Sequence, residues 1–129
     1  MEALVKSLWV GVGAFVGANL RFWFGEWMGQ RGGMVFPWAT FAINVIGSLL
    51  IGIFFAWELK QNPNFAYRLF IAVGLCGGFT TFSAFSWESL RLIDRGEWGS
   101  LVLYVSGSVI LTIAACAVGF GATRSLLGG

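Results

Sequence analysis

Residues 77–86 read GGFTTFSAFS and lie inside a run, Leu69 to Trp87, that carries no charged residue. The run is long enough to cross a membrane, because a span needs about 20 mainly apolar residues. Two adjacent glycines and four hydroxyl side chains are nevertheless poor material for a helix that faces lipid. Backbone at membrane depth leaves the helical path only where protein buries it or water lines it. The stretch therefore predicts a broken membrane helix, with the break at residues 77–81 and a functional site beside it.

The composition of the whole chain is that of an integral membrane protein. Of its 129 residues, 57% are hydrophobic and only 11% are charged, whereas soluble domains carry about 25% charged residues. The net charge is +2 without a basic cluster, so we expect no nucleic-acid partner. The absence of histidine excludes a metal site or proton relay built on imidazole. Cys76 and Cys116 each lie in an apolar run, which favours small buried side chains over a disulfide or a metal pair.

Uncharged runs elsewhere in the sequence predict three more spans. We therefore expect an all-α membrane protein, a single domain of four transmembrane helices at about residues 4–28, 35–58, 67–91 and 98–124. Most of the seven tryptophans fall near the predicted span ends, which is typical of an interfacial aromatic belt. The N-terminus continues like a span, and no cleavable signal peptide is evident.

The positive charges near the span ends do not favour one orientation in the membrane. One predicted side holds Lys6, Lys60, Arg68 and Arg124, and the other holds Arg21, Arg31, Arg91 and Arg95. The positive-inside rule needs an excess on one side. Two interpretations stay open: misplaced boundaries hide a small bias, or the chain inserts in both orientations. Dual insertion would allow an antiparallel homodimer with its two-fold axis in the membrane plane.

Polar and aromatic side chains form rows on three of the predicted helices. The rows are Thr40, Asn44 and Ser48 in the second span, Phe82, Phe85 and Glu88 in the third, and Tyr104, Ser108 and Thr112 in the fourth. A spacing of three or four residues places the members of each row on one helix face. Intramembrane polar groups are costly and usually face the bundle interior or a watery cavity.

Simpler interpretations of these rows also exist. Each hydroxyl can bond back to a carbonyl of its own helix, and Phe82 and Phe85 taken alone would be core packing. Asn44 is harder to explain in this way, because a side-chain amide has no cheap local partner in mid-span. Hydroxyl and amide hydrogens, together with the positive edges of aromatic rings, suit a small anion. A helix break would in addition free main-chain carbonyls that can hold a small cation such as sodium.

At these residues the chain resembles the Fluc family of fluoride channels, also called CrcB. The resemblance extends over the whole chain and rests on GGFTTFSAFS at 77–86, GANLR at 17–21 and PWATFAINVIGS at 37–48. It implies a passive, selective channel that exports cytoplasmic fluoride across the bacterial inner membrane. It also implies an antiparallel, dual-topology homodimer in lipid, with two fluoride pathways and a central structural sodium ion.

The resemblance implies a role for individual residues as well. The fluoride pathway would comprise Thr40, Asn44, Phe82, Ser83, Phe85, Tyr104, Ser108 and Thr112. Arg21 and Glu88 would lie at the vestibule, and the main-chain carbonyls of Gly77 and Thr80 would hold the sodium ion.

Three other classes of protein fit less well. A small multidrug-type transporter also has four spans, but it needs a membrane-embedded carboxylate in the first one. The acid near the end of that span, Glu26, lies beyond Arg21 and close to the boundary. A membrane assembly subunit that transports nothing would explain the glycines but not the polar rows. We do not expect an enzyme, since no nucleophile–base pair is visible.

Overall fold

The computed structural model describes residues 1–29 and 35–129. Four of its helices are long and apolar enough to cross a membrane. They are α1 (Glu2–Gly29), α2 (Trp38–Gln61), a third span over Phe65–Asp94, and a last helix over Trp98–Leu126. No strand occurs among the described residues. The prediction of an all-α, multi-pass membrane protein with four spanning helices is confirmed.

The third span is not one continuous α-helix. It consists of α3 (Phe65–Tyr67), a π-helix (Arg68–Cys76), α4 (Gly77–Phe79) and α5 (Phe82–Asp94), and the last spanning helix is then α6 (Trp98–Leu126). Two of these segments, α3 and α5, begin at a side-chain N-cap. At the start of α3, for example, the Asn64 side chain accepts a bond of 3.1 Å from the Ala66 amide and so caps the helix.

The break itself is narrower than the sequence suggests. The backbone is extended only at Thr80 (φ −81°, ψ 156°) and Thr81 (φ −149°, ψ 121°). Gly77 keeps helical angles (φ −64°, ψ −37°), and α4 includes both glycines. Thr81 then begins α5 as its N-cap, where its hydroxyl oxygen accepts the Ala84 amide at 3.2 Å. Residues 77–79 of the predicted break are therefore helical.

Gly78 is helical because it is a packing residue rather than a breaking one. A Cβ atom built on it would lie 2.7 Å from the Ala14 carbonyl oxygen of α1. One built on Gly17 would meet the Leu75 carbonyl in the same way. Small residues let helix backbones approach closely in lipid, where no hydrophobic force drives helices together. The backbone of α1 thus lies directly on the π-helix and α4.

α2 is the central helix of the protomer and packs chiefly along α6. Small residues again allow the approach, since a Cβ on Gly119 would lie 2.5 Å from the Leu49 carbonyl oxygen. The outer faces of α1 and α6, in contrast, expose large apolar side chains such as Phe15 and Ile110. Such a surface matches a hydrocarbon surrounding.

One end of the bundle gathers four cationic side chains, Lys6, Lys60, Arg68 and Arg124. The Lys6 ammonium lies over an aromatic ring at the start of the third span. The Arg68 guanidinium lies 3.9 Å from the Glu58 carboxylate near the end of α2. Lys60 and Arg124 line one groove. The contacts group the residues as the sequence predicted for that side of the membrane.

The opposite set of charges differs from the expectation at one position. Arg21 lies inside α1 rather than at its end, and its side chain reaches the carbonyl of Gly78. It therefore makes a contact within the bundle that the count of charges did not predict. Arg31 lies outside the described residues. Dual topology stays a prediction.

Candidate functional site

A groove of about 350 Å³ lies between α2, the third span and α6, beside the break. It brings together five of the predicted pathway residues, namely Asn44, Phe82, Phe85, Ser108 and Thr112. Gly77 and Thr80 of the predicted cation site also line it. Residues from three spans thus converge on one concave surface, as the rows in the sequence indicate. Thr40, Ser83, Tyr104, Arg21 and Glu88 do not line the groove.

The two phenylalanines of the groove differ in their surroundings. Phe82 is 79% exposed, so in the protomer it is not a core residue. Its ring centre lies 5.4 Å from that of Phe85, at an interplanar angle of 38°. Phe85 is half-buried and packs on Tyr104, with 5.1 Å between the ring centres. The pair therefore leads from an open surface to the buried interior.

The hydroxyls along α6 also differ from one another. Thr112 donates to the Ser108 carbonyl at 2.6 Å, so its hydrogen is used within its own helix, as the simpler interpretation holds. Ser108 is only 7% exposed, yet its Oγ has no hydrogen-bond partner among the described residues. A buried hydroxyl without a partner is costly. Its position in the groove makes Ser108 the group there that most needs an acceptor or donor from outside.

Thr40 and Tyr104 both bond to Glu88, next to the Phe85 ring. The Thr40 hydroxyl donates to Oε1 of Glu88 at 2.8 Å, and the Tyr104 hydroxyl donates to Oε2 at 2.7 Å. Tyr104 is fully buried, at 0% exposed. Hydrogen bonds to a carboxylate are about twice as strong as neutral ones. Glu88 therefore ties α2, α5 and α6 together next to Phe85.

Ser83 lies apart from the other predicted pathway residues. Its side chain is exposed, and its Oγ lies 3.2 Å from the Thr81 hydroxyl. The structure places it at the first turn of α5, outside the groove.

Asn44 binds the break directly, a contact that the sequence reasoning did not foresee. Its Oδ1 accepts from the Thr81 amide at 2.9 Å, and its Nδ2 donates to the Thr81 carbonyl at 3.2 Å. An extended residue between two helices leaves both of these backbone groups without helical partners. Among uncharged side chains, an amide such as that of Asn offers one acceptor and one donor side by side. A lone mid-span asparagine facing a predicted break was the available signal.

A side chain of α1 also binds the end of α4. Arg21 Nε donates to the Gly78 carbonyl at 3.2 Å. Cationic side chains near a helix C-terminus interact favourably with its free carbonyls and its dipole. Asn44 and Arg21 thus hold the two sides of the break from two different helices.

Other carbonyls at the break have no such partner. Among the described residues, no donor bonds the carbonyl of Gly77 or that of Thr80. Gly77 is also exposed, and a Cβ built on it would meet nothing nearer than the Ala72 oxygen at 3.8 Å. In residues 1–29 and 35–129 no cluster of His, Cys, Asp and Glu could hold a metal ion. Free main-chain oxygens are therefore the groups here that fit a small cation.

Comparisons of the sequence with a family model and with individual proteins point to one family. The sequence model of the family described as "CrcB-like protein, Camphor Resistance (CrcB)" matches residues 8–120. A protein of Novosphingobium aromaticivorans named "Fluoride-specific ion channel FluC" is 41% identical over 125 residues, which cover 95% of this chain and 99% of that protein. A protein of the same name from Nitrobacter winogradskyi is 45% identical, covering 89% and 92% of the two chains. Another from Thermus thermophilus is 40% identical, covering 95% and 97%.

Proposed function

We propose that this chain, a member of the CrcB family, is a passive and selective fluoride channel. Its relatives are named as fluoride-specific ion channels, which are not enzymes. The observation in the protomer that supports the proposal best is the groove beside the break. There the unpartnered Ser108 hydroxyl, the Asn44 amide and the exposed Phe82 ring meet.

The chemistry of the groove suits a small anion. Fluoride is small and strongly hydrated, so a pathway must replace its water closely. Ser108 has a free hydroxyl, and the Asn44 Nδ2 carries two hydrogens, of which the Thr81 carbonyl takes one. The edges of the Phe82 and Phe85 rings are weakly positive. A narrow line of such groups would favour the small ion over chloride, whereas a wide basic pore would pass both.

The open side of the groove supports a dimer. Phe82 and Gly77 are both exposed at mid-span, and Gly77 has open space where a side chain would be. A second copy in the opposite orientation, formed by dual-topology insertion, would close this side and complete two pathways. Thr40, Ser83 and Tyr104 would belong to the pathway near its ends, with Arg21 and Glu88 near the vestibules. The protein would lie in the bacterial inner membrane, with lipid on its outer apolar faces, and export cytoplasmic fluoride.

A structural sodium ion fits the carbonyls of the break. Gly77 and Thr80 would each contribute one main-chain oxygen, and a two-fold partner would contribute the same two. Unwound backbone carbonyls are suitable ligands for sodium in membrane proteins. The ion would hold the two breaks together at the centre of the dimer.

The alternative of a small multidrug-type transporter has less support. Its proton coupling needs a free carboxylate in the first span. The carboxylate next to Phe85 is that of Glu88 in α5, and both of its oxygens already accept hydrogen bonds. This carboxylate belongs to the third span and not to the first.

Fluoride efflux from liposomes, followed with a fluoride electrode, tests the proposal. We expect rapid fluoride efflux from liposomes with the purified protein and little chloride efflux. Phe82→Ile and Asn44→Ala should each reduce the fluoride rate sharply. The matched control Phe15→Ile, at an exposed phenylalanine on the outer face of α1, should leave the rate unchanged. No fluoride efflux, or equal chloride efflux, contradicts the channel proposal, and a normal rate in folded Phe82→Ile removes that ring from the pathway.

A further inference from the structure

The two hydrogen bonds of Asn44 act on a single residue with extended backbone. In an extended residue the N–H and C=O point to the same side, as in a hydrogen-bonded pair of antiparallel strands. Asn44 Oδ1 takes the Thr81 N–H, and Asn44 Nδ2 takes the Thr81 C=O. The amide therefore pairs with Thr81 as a neighbouring strand would, and it holds the plane of the backbone on both sides of that residue.

The bond to the Thr81 amide also fixes the carbonyl before it. The C=O of Thr80 and the N–H of Thr81 belong to one planar peptide unit. The chain has no cis peptide bond among its described residues, so this N–H and C=O point in opposite directions. Because the N–H points to α2 and Asn44, the Thr80 carbonyl points away from α2. Its oxygen has no donor among the described residues.

The methyl group of Thr80 gives a second restraint on this peptide. Gly47 of α2 leaves space for the Thr80 Cγ2, and a Cβ on Gly47 would occupy that space. The Thr80 hydroxyl is bonded back to the Cys76 carbonyl at 2.9 Å. Both substituents of the Thr80 side chain are thus held, and Asn44 bonds the N–H of the following peptide.

We propose that Asn44 is a positioning residue for the cation site, because it fixes the direction in which the Thr80 carbonyl oxygen points. This inference rests on the proposed sodium site and deepens it. The same side chain faces the groove with its remaining amide hydrogen, so one residue couples the geometry of the anion groove to that of the cation site. Loss of the Oδ1 acceptor frees the peptide to rotate and weakens sodium binding, even though Asn44 is not itself a ligand.

Sodium-dependent thermal unfolding of the purified full-length protein in detergent tests this inference. The unfolding midpoint is measured against NaCl concentration, with N-methylglucamine chloride keeping the ionic strength constant, since a bound ion stabilises the folded state by mass action. Asn44→Leu should raise the sodium concentration for the half-maximal effect by about tenfold or more, because the Thr80 carbonyl loses its alignment toward the ion. Asn44→Asp keeps an acceptor for the Thr81 amide and should not raise it.

A neighbouring polar residue of the groove provides the control. Ser48→Ala removes a hydroxyl that lies on the same face of α2 and makes no bond to the break within residues 1–29 and 35–129. The half-maximal sodium concentration should stay within about twofold of the wild-type value. If Asn44→Leu does not fold, Asn44→Ser replaces it, because the shorter side chain does not reach Thr81. A wild-type sodium response in folded Asn44→Leu or Asn44→Ser, or a rise in Asn44→Asp as large as theirs, overturns the inference.

The failure of the wider proposal has a different signature. A wild-type protein whose unfolding midpoint ignores sodium overturns both the sodium site and this inference. Fluoride efflux through that same protein would leave the channel proposal standing.

Discussion

The contact between α4 and α1 gives a sharp test of the packing, through the substitution Gly78→Ala. The added Cβ would lie 2.7 Å from the Ala14 carbonyl oxygen and 3.0 Å from the Ala14 Cα. Ordinary van der Waals contact begins at 3.4 Å, so α1 must move by about 0.7 Å at this point. The obstructing atoms belong to backbone, and no side-chain rotation relieves the clash.

The matched control is Gly11→Ala on the outer face of α1, where an added Cβ meets nothing within 4 Å. Both glycines are helical, so both substitutions gain the same preference of alanine for a helix, about 1 kcal/mol. Overpacking a close contact typically costs about 1–3 kcal/mol. The difference between the two variants isolates the packing term, and we expect Gly78→Ala to be less stable than Gly11→Ala by about 1–3 kcal/mol.

The free energy of unfolding in mixed micelles, measured by denaturant titration, gives this difference. Movement of α1 also draws the Arg21 side chain away from the Gly78 carbonyl, so fluoride efflux of Gly78→Ala should fall as well. Equal stability of the two variants would show that α1 does not lie against α4 as described.

Three further predictions concern single groups around the break. Arg21→Met removes the charged donor from the end of α4 and should lower the unfolding free energy by about 1.5–3 kcal/mol. Arg21→Lys should recover part of this lost stability, and equal unfolding free energies for the two variants would exclude a role for the charge. Ser108→Ala removes the unpartnered hydroxyl and should slow fluoride efflux at constant or raised stability. Its control is Ser106→Ala on the exposed side of α6, where the hydroxyl bonds its own helix; a lower rate in the control alone would contradict the assignment of Ser108 to the pathway. Gly77→Ala fits the protomer. If a partner covers this position, the variant should keep its helical content but shift from dimer to monomer in light scattering, and an unchanged dimer would contradict that.

Some of the site follows from the sequence because it depends on periodicity. Residues spaced by four share a face of a straight helix, and Asn44, Ser108 and Thr112 do converge on the groove. The four spans follow from apolar runs of sufficient length. These properties are local to one helix, and a single sequence contains them.

Other features depend on contacts between helices, and a sequence contains them only indirectly. The pairing of Asn44 with Thr81 joins two spans in register, and that register is set by where Gly47 allows Thr80 to approach. The break lies after Phe79 rather than at the glycines for a similar reason. Gly78 is small because α1 lies on it, and a glycine required by packing looks the same in a sequence as one required by a bend.

The location of Arg21 has the same origin. Its place near the end of an apolar run suggested a boundary charge, but α1 continues to Gly29 and the side chain turns inward. A partly buried cation needs a compensating acceptor, and the Gly78 carbonyl at the end of α4 supplies one. The acceptor exists because the third span breaks, so the role of Arg21 follows from the break and not from its own neighbours in sequence.

The hydrogen bonding of the break bears on the proposed dimer. Each backbone polar group without a partner in a membrane costs several kcal/mol. Within the described residues Asn44 satisfies both groups of Thr81, and Arg21 satisfies the Gly78 carbonyl. In the same described part of the chain the carbonyls of Gly77 and Thr80 stay without donors beside an open groove, and Gly77 itself is exposed. Two polar side chains thus satisfy one part of the break, and the proposed dimer would account for the other part. In the proposed antiparallel dimer a second copy would cover these oxygens, and the proposed sodium ion would be their ligand.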